Sequence, residues 1–274
     1  MGTVIAISSF VARGTVGLRA IMPALDRMGH ETIACPTIVL SNHLGHARAA
    51  GSPVAAETLS AMLGALEANG WLARVDALLT GYLPSPEHVR IVEAAITRLR
   101  AVRPDALIVC DPVLGDDPEG LYVPQSVAES VRDHLVPLAT HMKVNRFELE
   151  LLSGKPVQTA ADVVAAARAL PPPVALASSI TAPGDRLANI IVTRRRADAC
   201  TVPRESGVPH GTGDLLAALF TAHLLDGEGP QTSAAFAAGG VARAIAQSRG
   251  TDELQLAGTA GWHEAPPLSL AGID

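Results

Sequence analysis

The sequence predicts an α/β fold, a mostly parallel central sheet with helices on both faces, in a single domain spanning residues 1–274. Three observations predict it. Short apolar β-like runs alternate with helix-like stretches, and that alternation implies parallel strands covered on both faces. Several runs end on polar residues, namely Ser8-Ser9, Thr80-Gly81-Tyr82, Asp111-Pro112 and Ser178-Ser179, and open α/β sheets bind ligands beyond the carboxyl ends of their strands. Hydrophobic residues make up 48% of the 274, enough to cover a large sheet, and neither a linker nor an internal repeat divides the chain.

The elements follow in order. Residues 3–7 read as a buried first strand, then a Ser/Gly-containing loop and a helix over 17–28. A second strand covers 31–35. Over 55–69, Leu59, Met62, Leu63 and Leu66 recur at helical spacing. Residues 76–80 form a strand that Gly81 ends, and Pro84 to Glu87 opens a helix running to Arg100, with Pro86 and Glu87 suited to a first turn. A strand at 107–110 ends on Asp111-Pro112; 124–134 and 146–152 read as helices, and 174–177 and 189–192 as strands. Two Ala-rich helices, 213–225 and 232–248, follow, and the Gly/Pro-rich tail after Thr251 carries no clear pattern.

Composition excludes several classes. The formal charge of −6 argues against nucleic acid or an anionic membrane as partner. No apolar run approaches the ~20 residues of a spanning helix, and the N-terminus lacks a basic, cleavable leader, so the chain reads as soluble and cytoplasmic. Cys35, Cys110 and Cys200 are odd in number and far apart, which supports neither a disulfide framework nor a zinc knuckle. Against 19 arginines there are only two lysines, Lys143 and Lys155.

Among the motifs, Gly211-Thr212-Gly213-Asp214 is the sharpest. Two glycines at a helix start let backbone approach a ligand, and the unpaired N–H groups there suit an anion. An ordinary helix start with a favourable acidic residue explains the same four letters. Asp111, at a strand's carboxyl end before a proline, and Glu148, at a helix start, are carboxylates of the kind that hold Mg²⁺. Each alone also fits a bland role, as does Asp116-Asp117 in a solvated turn. Arg194-Arg195-Arg196 reads as a hairpin tip before it reads as a phosphate patch, and His43 lies in a polar loop. Gly154-Lys155 is followed by Pro156, so no phosphate-binding GxxxxGK[ST] exists; GxGxxG, HExxH and GxSxG are also missing.

Taken together, these pieces resemble the pyridoxal kinase branch of the ribokinase-like superfamily. The carrying residues are Ser9-Phe10-Val11-Ala12-Arg13-Gly14 with Val16-Gly17, Ser41-Asn42-His43 with Gly45, Leu79-Thr80-Gly81-Tyr82, CDPVLGD at 110–116 with Tyr122-Val123-Pro124, ELELLSG at 148–154, Ser178-Ser179 and Gly211 to Asp214. The resemblance implies γ-phosphoryl transfer from ATP to the 5′-hydroxyl of pyridoxal, and often of pyridoxine and pyridoxamine. It implies Asp214 as the base and the Gly211–Gly213 amides as the anion hole. Asp111 and Glu148 match a Mg²⁺ shell. Asp111, Asp116, Tyr122, Lys143, Asn145, Glu148, Ser178, Ser179 and Thr212 match the ATP site, and Ser9, Val16, His43 and Tyr82 the pyridoxal pocket. A homodimer is a family expectation, and a monovalent cation is left open.

Three positions depart from the family pattern. Leu44 replaces a threonine, which removes a hydroxyl from the vitamer pocket. Lys143-Val144 replaces Thr-Pro before Asn145, placing a fixed cation either near the ATP phosphates or out in solvent. His210 stands where an apolar residue is usual. Two alternatives remain beside the pyridoxal kinase reading: a hydroxymethylpyrimidine (phosphate) kinase, against which Asp214 and the Ser-Asn-His and Thr-Gly-Tyr pieces argue, and a non-catalytic vitamer- or nucleotide-binding protein, against which the intact Gly-Thr-Gly-Asp argues.

Overall fold

A computed structural model describes residues 1–258 and 261–273. Its first strand, β1 (Thr3–Val11), lies between parallel neighbours and is buried for most of its length. The elements then run α1 (Leu18–Arg27), β2 (Glu31–Leu40), β3 (Gly51–Pro53), α2 (Ala56–Ala68), β4 (Ala77–Thr80), α3 (Pro86–Val102) and β5 (Leu107–Cys110). A two-strand hairpin, β6 (Gly115–Asp116) and β7 (Gly120–Leu121), precedes α4 (Gln125–Ser130), whose helical path continues as a wider turn over Val131–Leu135. Next come β8 (His141–Asn145), α5 (Arg146–Ser153), α6 (Ala160–Ala169), β9 (Val174–Ala182), β10 (Arg186–Thr193), β11 (Ala197–Pro203), α7 (Thr212–Leu225), α8 (Pro230–Gln247) and β12 (Ala271–Gly272).

Ten strands form one sheet in the order β12-β11-β10-β9-β8-β5-β4-β1-β2-β3. The six from β9 to β2 are mutually parallel, and antiparallel pairing is confined to the margins: β3 on one side, β10, β11 and β12 on the other. The expected mostly parallel sheet is therefore present, with a mixed margin that short apolar runs do not reveal.

Alternate side chains of the central strands enter two different cores, as the period of a strand dictates. Ile5, Ile7, Leu78 and Ile108 pack with Leu59, Val92, Ile96 and Leu149 from α2, α3 and α5. Val4, Ala6, Leu79 and Val109 pack with Leu18, Ile21, Leu215 and Phe220 from α1 and α7. Helix α8 joins this second face, and Trp262 of the tail is fully buried there with its indole N–H donating to Leu256 O at 3.2 Å. Gly239 and Gly240 allow this: a Cβ on either would stand within 3.0 Å of the Pro266 or Trp262 carbonyl oxygen. Caps explain several helix starts. Ser85 accepts the His88 N–H ahead of Pro86, while Asn145–Glu148 and Thr159–Asp162 form reciprocal capping boxes.

Several boundaries differ from the sequence reading. Ser8 and Ser9 lie inside β1 rather than in a following loop, and β2 runs on to Leu40. Ser178 and Ser179 lie inside β9, at the irregularity where its pairing with β10 shifts. β3, β8, α6 and β11 carry no expectation in the sequence, and Ala271–Gly272 adds an edge strand from the tail. Arg194 to Arg196 sit at the β10–β11 turn, as their hairpin-tip reading expects. No helix among the described residues is long and apolar enough to cross a membrane.

Candidate active site

The carboxyl ends of the central strands β4, β5 and β8 and the starts of α1, α5 and α7 meet at one end of the sheet. Asp111 follows β5, and its N–H donates to Thr80 O at 3.2 Å. Lys143 comes from β8, where its neighbours Met142 and Val144 enter the core and its own chain is 5% exposed. Its ammonium donates to both Asp111 carboxylate oxygens at 3.2 Å. An ideal Cβ on Gly213 would lie 2.8 Å from Lys143 Nζ, so glycine at this position is what leaves room for the lysine. The solvent-facing reading of Lys143 is thereby excluded.

Glu148 is 2% exposed and spans two segments. One oxygen accepts the Leu114 N–H and the other the Asn145 N–H, both at 2.9 Å. Asn145 in turn accepts the Glu148 N–H and donates to Gly115 O at 2.7 Å. One capping box thus starts α5 and fixes the 111–116 turn. Val113 in that turn adopts a φ of +45°, a strained conformation for a β-branched residue.

Asp214 is half-buried in the first turn of α7, and its carboxylate accepts the N–H of Gly17, the residue capping α1, at 2.9 Å. Gly211 precedes α7 with a φ of +98°, and a Cβ there would collide with Thr15 O at 1.8 Å. Leu215 N–H bonds to Gly211 O, so the helical ladder begins there and the N–H groups of 212–214 come before it.

The electrostatics follow from three carboxylates facing one ammonium. Burial pushes the Asp111 pKa up, Lys143 pulls it back, and Glu148 and Asp214 add to the rise. Burial likewise raises Glu148, opposed by Lys143 and the two backbone donors, and raises Asp214, opposed by the Gly17 N–H and Lys143. For Lys143 burial acts downward, but Asp111, Glu148 and Asp214 outweigh it, and the ammonium stays charged. The surplus of negative charge suits a hard divalent cation. Among the described residues no group of three or more His, Cys, Asp or Glu side chains forms a metal cage. Asp111 and Glu148 fit an ion that completes its shell with water and phosphate oxygens, as Mg²⁺ does.

The remaining sequence candidates separate. Asp116 is half-buried, and burial raises its pKa. Tyr122 comes directly after the hairpin; it is 50% exposed, its N–H donates to Leu114 O, and burial with Asp116, Glu119 and Glu148 raises its phenol to about 12. Ser178 pairs with Asn145 across β8–β9 and donates to Val144 O at 3.3 Å. Thr212 opens α7. Ser179 is exposed with a φ of +61°, at the irregularity in the β9–β10 pairing. Val16 is buried beside Gly211, and Ser9 packs on Gly17, where a Cβ would meet its carbonyl oxygen at 2.3 Å. Tyr82 donates its N–H to Ser8 Oγ and accepts from Thr37. His43 stacks on His210. Leu44 is 64% exposed.

Sequence reasoning missed the Gly17 N–H as partner of Asp214, the Leu114 N–H as partner of Glu148, and Glu253. Glu253 is buried and accepts from Arg13, His46 and the Thr15 N–H. Asn145 three residues before Glu148 is a capping-box signal that was present in the letters. Val16-Gly17 was among the motif pieces, but no letter there points to Asp214, and nothing local marks Glu253. A cleft of about 520 Å³ lies between Pro203–Pro209 and the end of α8, next to the α7 start.

Residues 13–258 match the phosphomethylpyrimidine kinase family. The pyridoxine/pyridoxal/pyridoxamine kinase of Bordetella bronchiseptica is 36% identical over 93% of this chain and 93% of its own. The chain belongs to the pyridoxal kinase family. Another member, the pyridoxal kinase PdxY of Rubrobacter xylanophilus, is 33% identical over 97% of this chain and 94% of its own. A solved pyridoxal kinase from Leishmania donovani, in complex with ADP and pyridoxamine, superposes with a TM-score of 0.94 at 26% identity over the full length of both chains. The fold is therefore the ribokinase-like one that the Gly-Thr-Gly-Asp and companion motifs led us to expect.

Proposed function

We propose that the protein transfers the γ-phosphoryl group of ATP to the 5′-hydroxyl of pyridoxal, and of related B6 vitamers, making the 5′-phosphate for cofactor salvage. The observation that carries this reading is Asp214 at the start of α7, facing the Lys143–Asp111 pair. The acceptor oxygen attacks the γ-phosphorus, the bond from that phosphorus to the bridging oxygen breaks, and ADP leaves. Asp214 takes the hydroxyl proton, and burial, by raising its pKa, makes it a stronger base than an ordinary carboxylate. The N–H groups of 211–213 receive the charge spread over the transferring phosphoryl, and Lys143 supplies a fixed cation beside them. Asp111 and Glu148 would hold Mg²⁺, which neutralises phosphate charge when bound. Ser9, Val16, His43 and Tyr82 form the acceptor side, and Asp116, Tyr122, Asn145, Ser178, Ser179 and Thr212 the nucleotide side.

Residues 1–274 act as one kinase domain, and the unbroken ten-stranded sheet supports that. By family likeness the enzyme works as a cytoplasmic homodimer. Light scattering after size exclusion tests the dimer and should read twice the 28.3 kDa chain mass.

The phosphomethylpyrimidine kinase family match favours one second reading, an aminopyrimidine alcohol or its phosphate as acceptor. An ADP-release assay across pyridoxal, pyridoxine, pyridoxamine and hydroxymethylpyrimidine separates the two, with pyridoxal expected to give the highest kcat/KM. Asp214→Asn tests the mechanism: a positioned base contributes about 10²–10⁴-fold, so kcat should fall on that scale in a folded variant. Near-native turnover would remove Asp214 from its role.

A further inference from the structure

The loop at 41–50, between β2 and β3, meets the stretch leading into α7 through two histidines. The His43 and His210 rings stack with centroids 4.1 Å apart and planes inclined by 28°. His43 Nδ1 accepts the Gly45 N–H at 3.1 Å. The proton of the neutral ring therefore sits on Nε2, which is left to donate. Gly45 lies against both rings: a Cβ on it would stand 3.0 Å from His43 Nδ1 and 3.3 Å from His210 Nε2. The loop has a second anchor, His46 Nε2 at 3.2 Å from Glu253. Burial, His210 and His46 each lower the His43 pKa while Glu253 opposes them, and the net effect favours the neutral, donating ring.

We infer that His210 is a positioning residue for His43, its ring holding the His43 imidazole in the plane from which Nε2 donates to a hydroxylated pyridine bound as acceptor. The inference rests on the proposed reading of His43 as an acceptor-side residue. A stacked pair is directional, so losing one ring frees the other to rotate while the loop keeps its Glu253 anchor.

The test is steady-state kinetics with pyridoxal and ATP on the full chain, comparing His43→Ala, His210→Ala, the double variant, His210→Phe and Gly45→Ala. His210→Ala should raise the pyridoxal KM about three- to tenfold, the scale of one aromatic pair, with kcat and the ATP KM little changed. His210→Phe keeps the stack and should restore the KM. Gly45→Ala crowds both rings without a positive φ and should mimic His210→Ala. Because His210 acts through His43, the double variant should be no worse than His43→Ala alone. If His43→Ala leaves the pyridoxal KM unchanged, the acceptor-side reading fails and the inference with it. If His43→Ala raises the KM but His210→Ala does not, or the two effects multiply, the inference alone is overturned. A uniform loss of kcat and Tm that phenylalanine does not rescue would mark His210 as merely structural and overturn it too.

Discussion

Lys143 shows what a single residue decides. In the sequence it is a departure from a family threonine, with a phosphate-side and a solvent-side reading. In the structure its ammonium sits among Asp111, Glu148 and Asp214 and 3.2 Å from both Asp111 oxygens. Replacing it with threonine leaves buried negative charge unpaired, and breaking a buried pair costs about 3–5 kcal/mol. Lys143→Thr should therefore lower Tm in metal-free buffer, with Mg²⁺ restoring much of the loss. It should also raise the ATP KM and the Mg²⁺ concentration needed for half-maximal rate. A Mg²⁺ titration that superposes on the wild type would sink the role. Asp111, Glu148 and Asp214 were legible as residues, because carboxylates at strand and helix ends have few other reasons to be there. Their shared ammonium was not legible, since it arrives from a strand 32 positions away from Asp111.

At the scale of elements, the start of α7 carries the chemistry, and its two glycines do different work. Gly211 has a positive φ and no room for a Cβ beside Thr15 O, so Gly211→Ala should destabilise the fold. Gly213 lies in the helix without a positive φ, and the atom a Cβ would meet is the movable end of Lys143. Alanine there gains about 0.5–1 kcal/mol of helix propensity, but its Cβ crowds the buried Lys143 ammonium against Asp111, where a broken pair costs about 3–5 kcal/mol. Gly213→Ala should thus lower Tm and activity together, and adding Lys143→Thr to it should lower Tm little further. Losses that simply add in the double variant would show that Gly213 serves the backbone and not the lysine. Most elements were legible from spacing. β8 was not, because His141 and Lys143 interrupt its apolar run and hide a strand whose other residues are buried. β9 was cut short at Ala177 because Ser178-Ser179 reads as an end rather than as a bulge.

The whole molecule adds effects that belong to no single element. His141 opens β8, bonds to Thr140 Oγ1 at 2.9 Å and meets Phe220 edge-on from α7. Burial lowers its pKa to about 4. The unfolded chain binds that proton near pH 6.5, so this contribution to stability is complete above pH 6.5 and is lost as pH falls towards 4. The shift corresponds to roughly 3 kcal/mol. Denaturant titrations should show His141→Asn losing less stability than the wild type across that window; parallel curves would contradict it. The tail is the second case. Trp262 is fully buried under α8, and truncating a buried tryptophan to alanine typically costs about 3–5 kcal/mol. Trp262→Ala should lower the free energy of unfolding from denaturant titration by that amount, although the tail carries no helical or strand periodicity.

The amino-acid sequence by itself determined the layered α/β class, the parallel centre of the sheet and the order of the motifs. Those follow from side chains two, three or four positions apart, which local spacing records. Only the tertiary structure decided which backbone N–H holds Asp214, which ammonium faces the carboxylates, and which ring lies against His43. Gly17 meets Asp214 across 197 positions of sequence, and the strands and helices between them, rather than any local pattern, bring the two together.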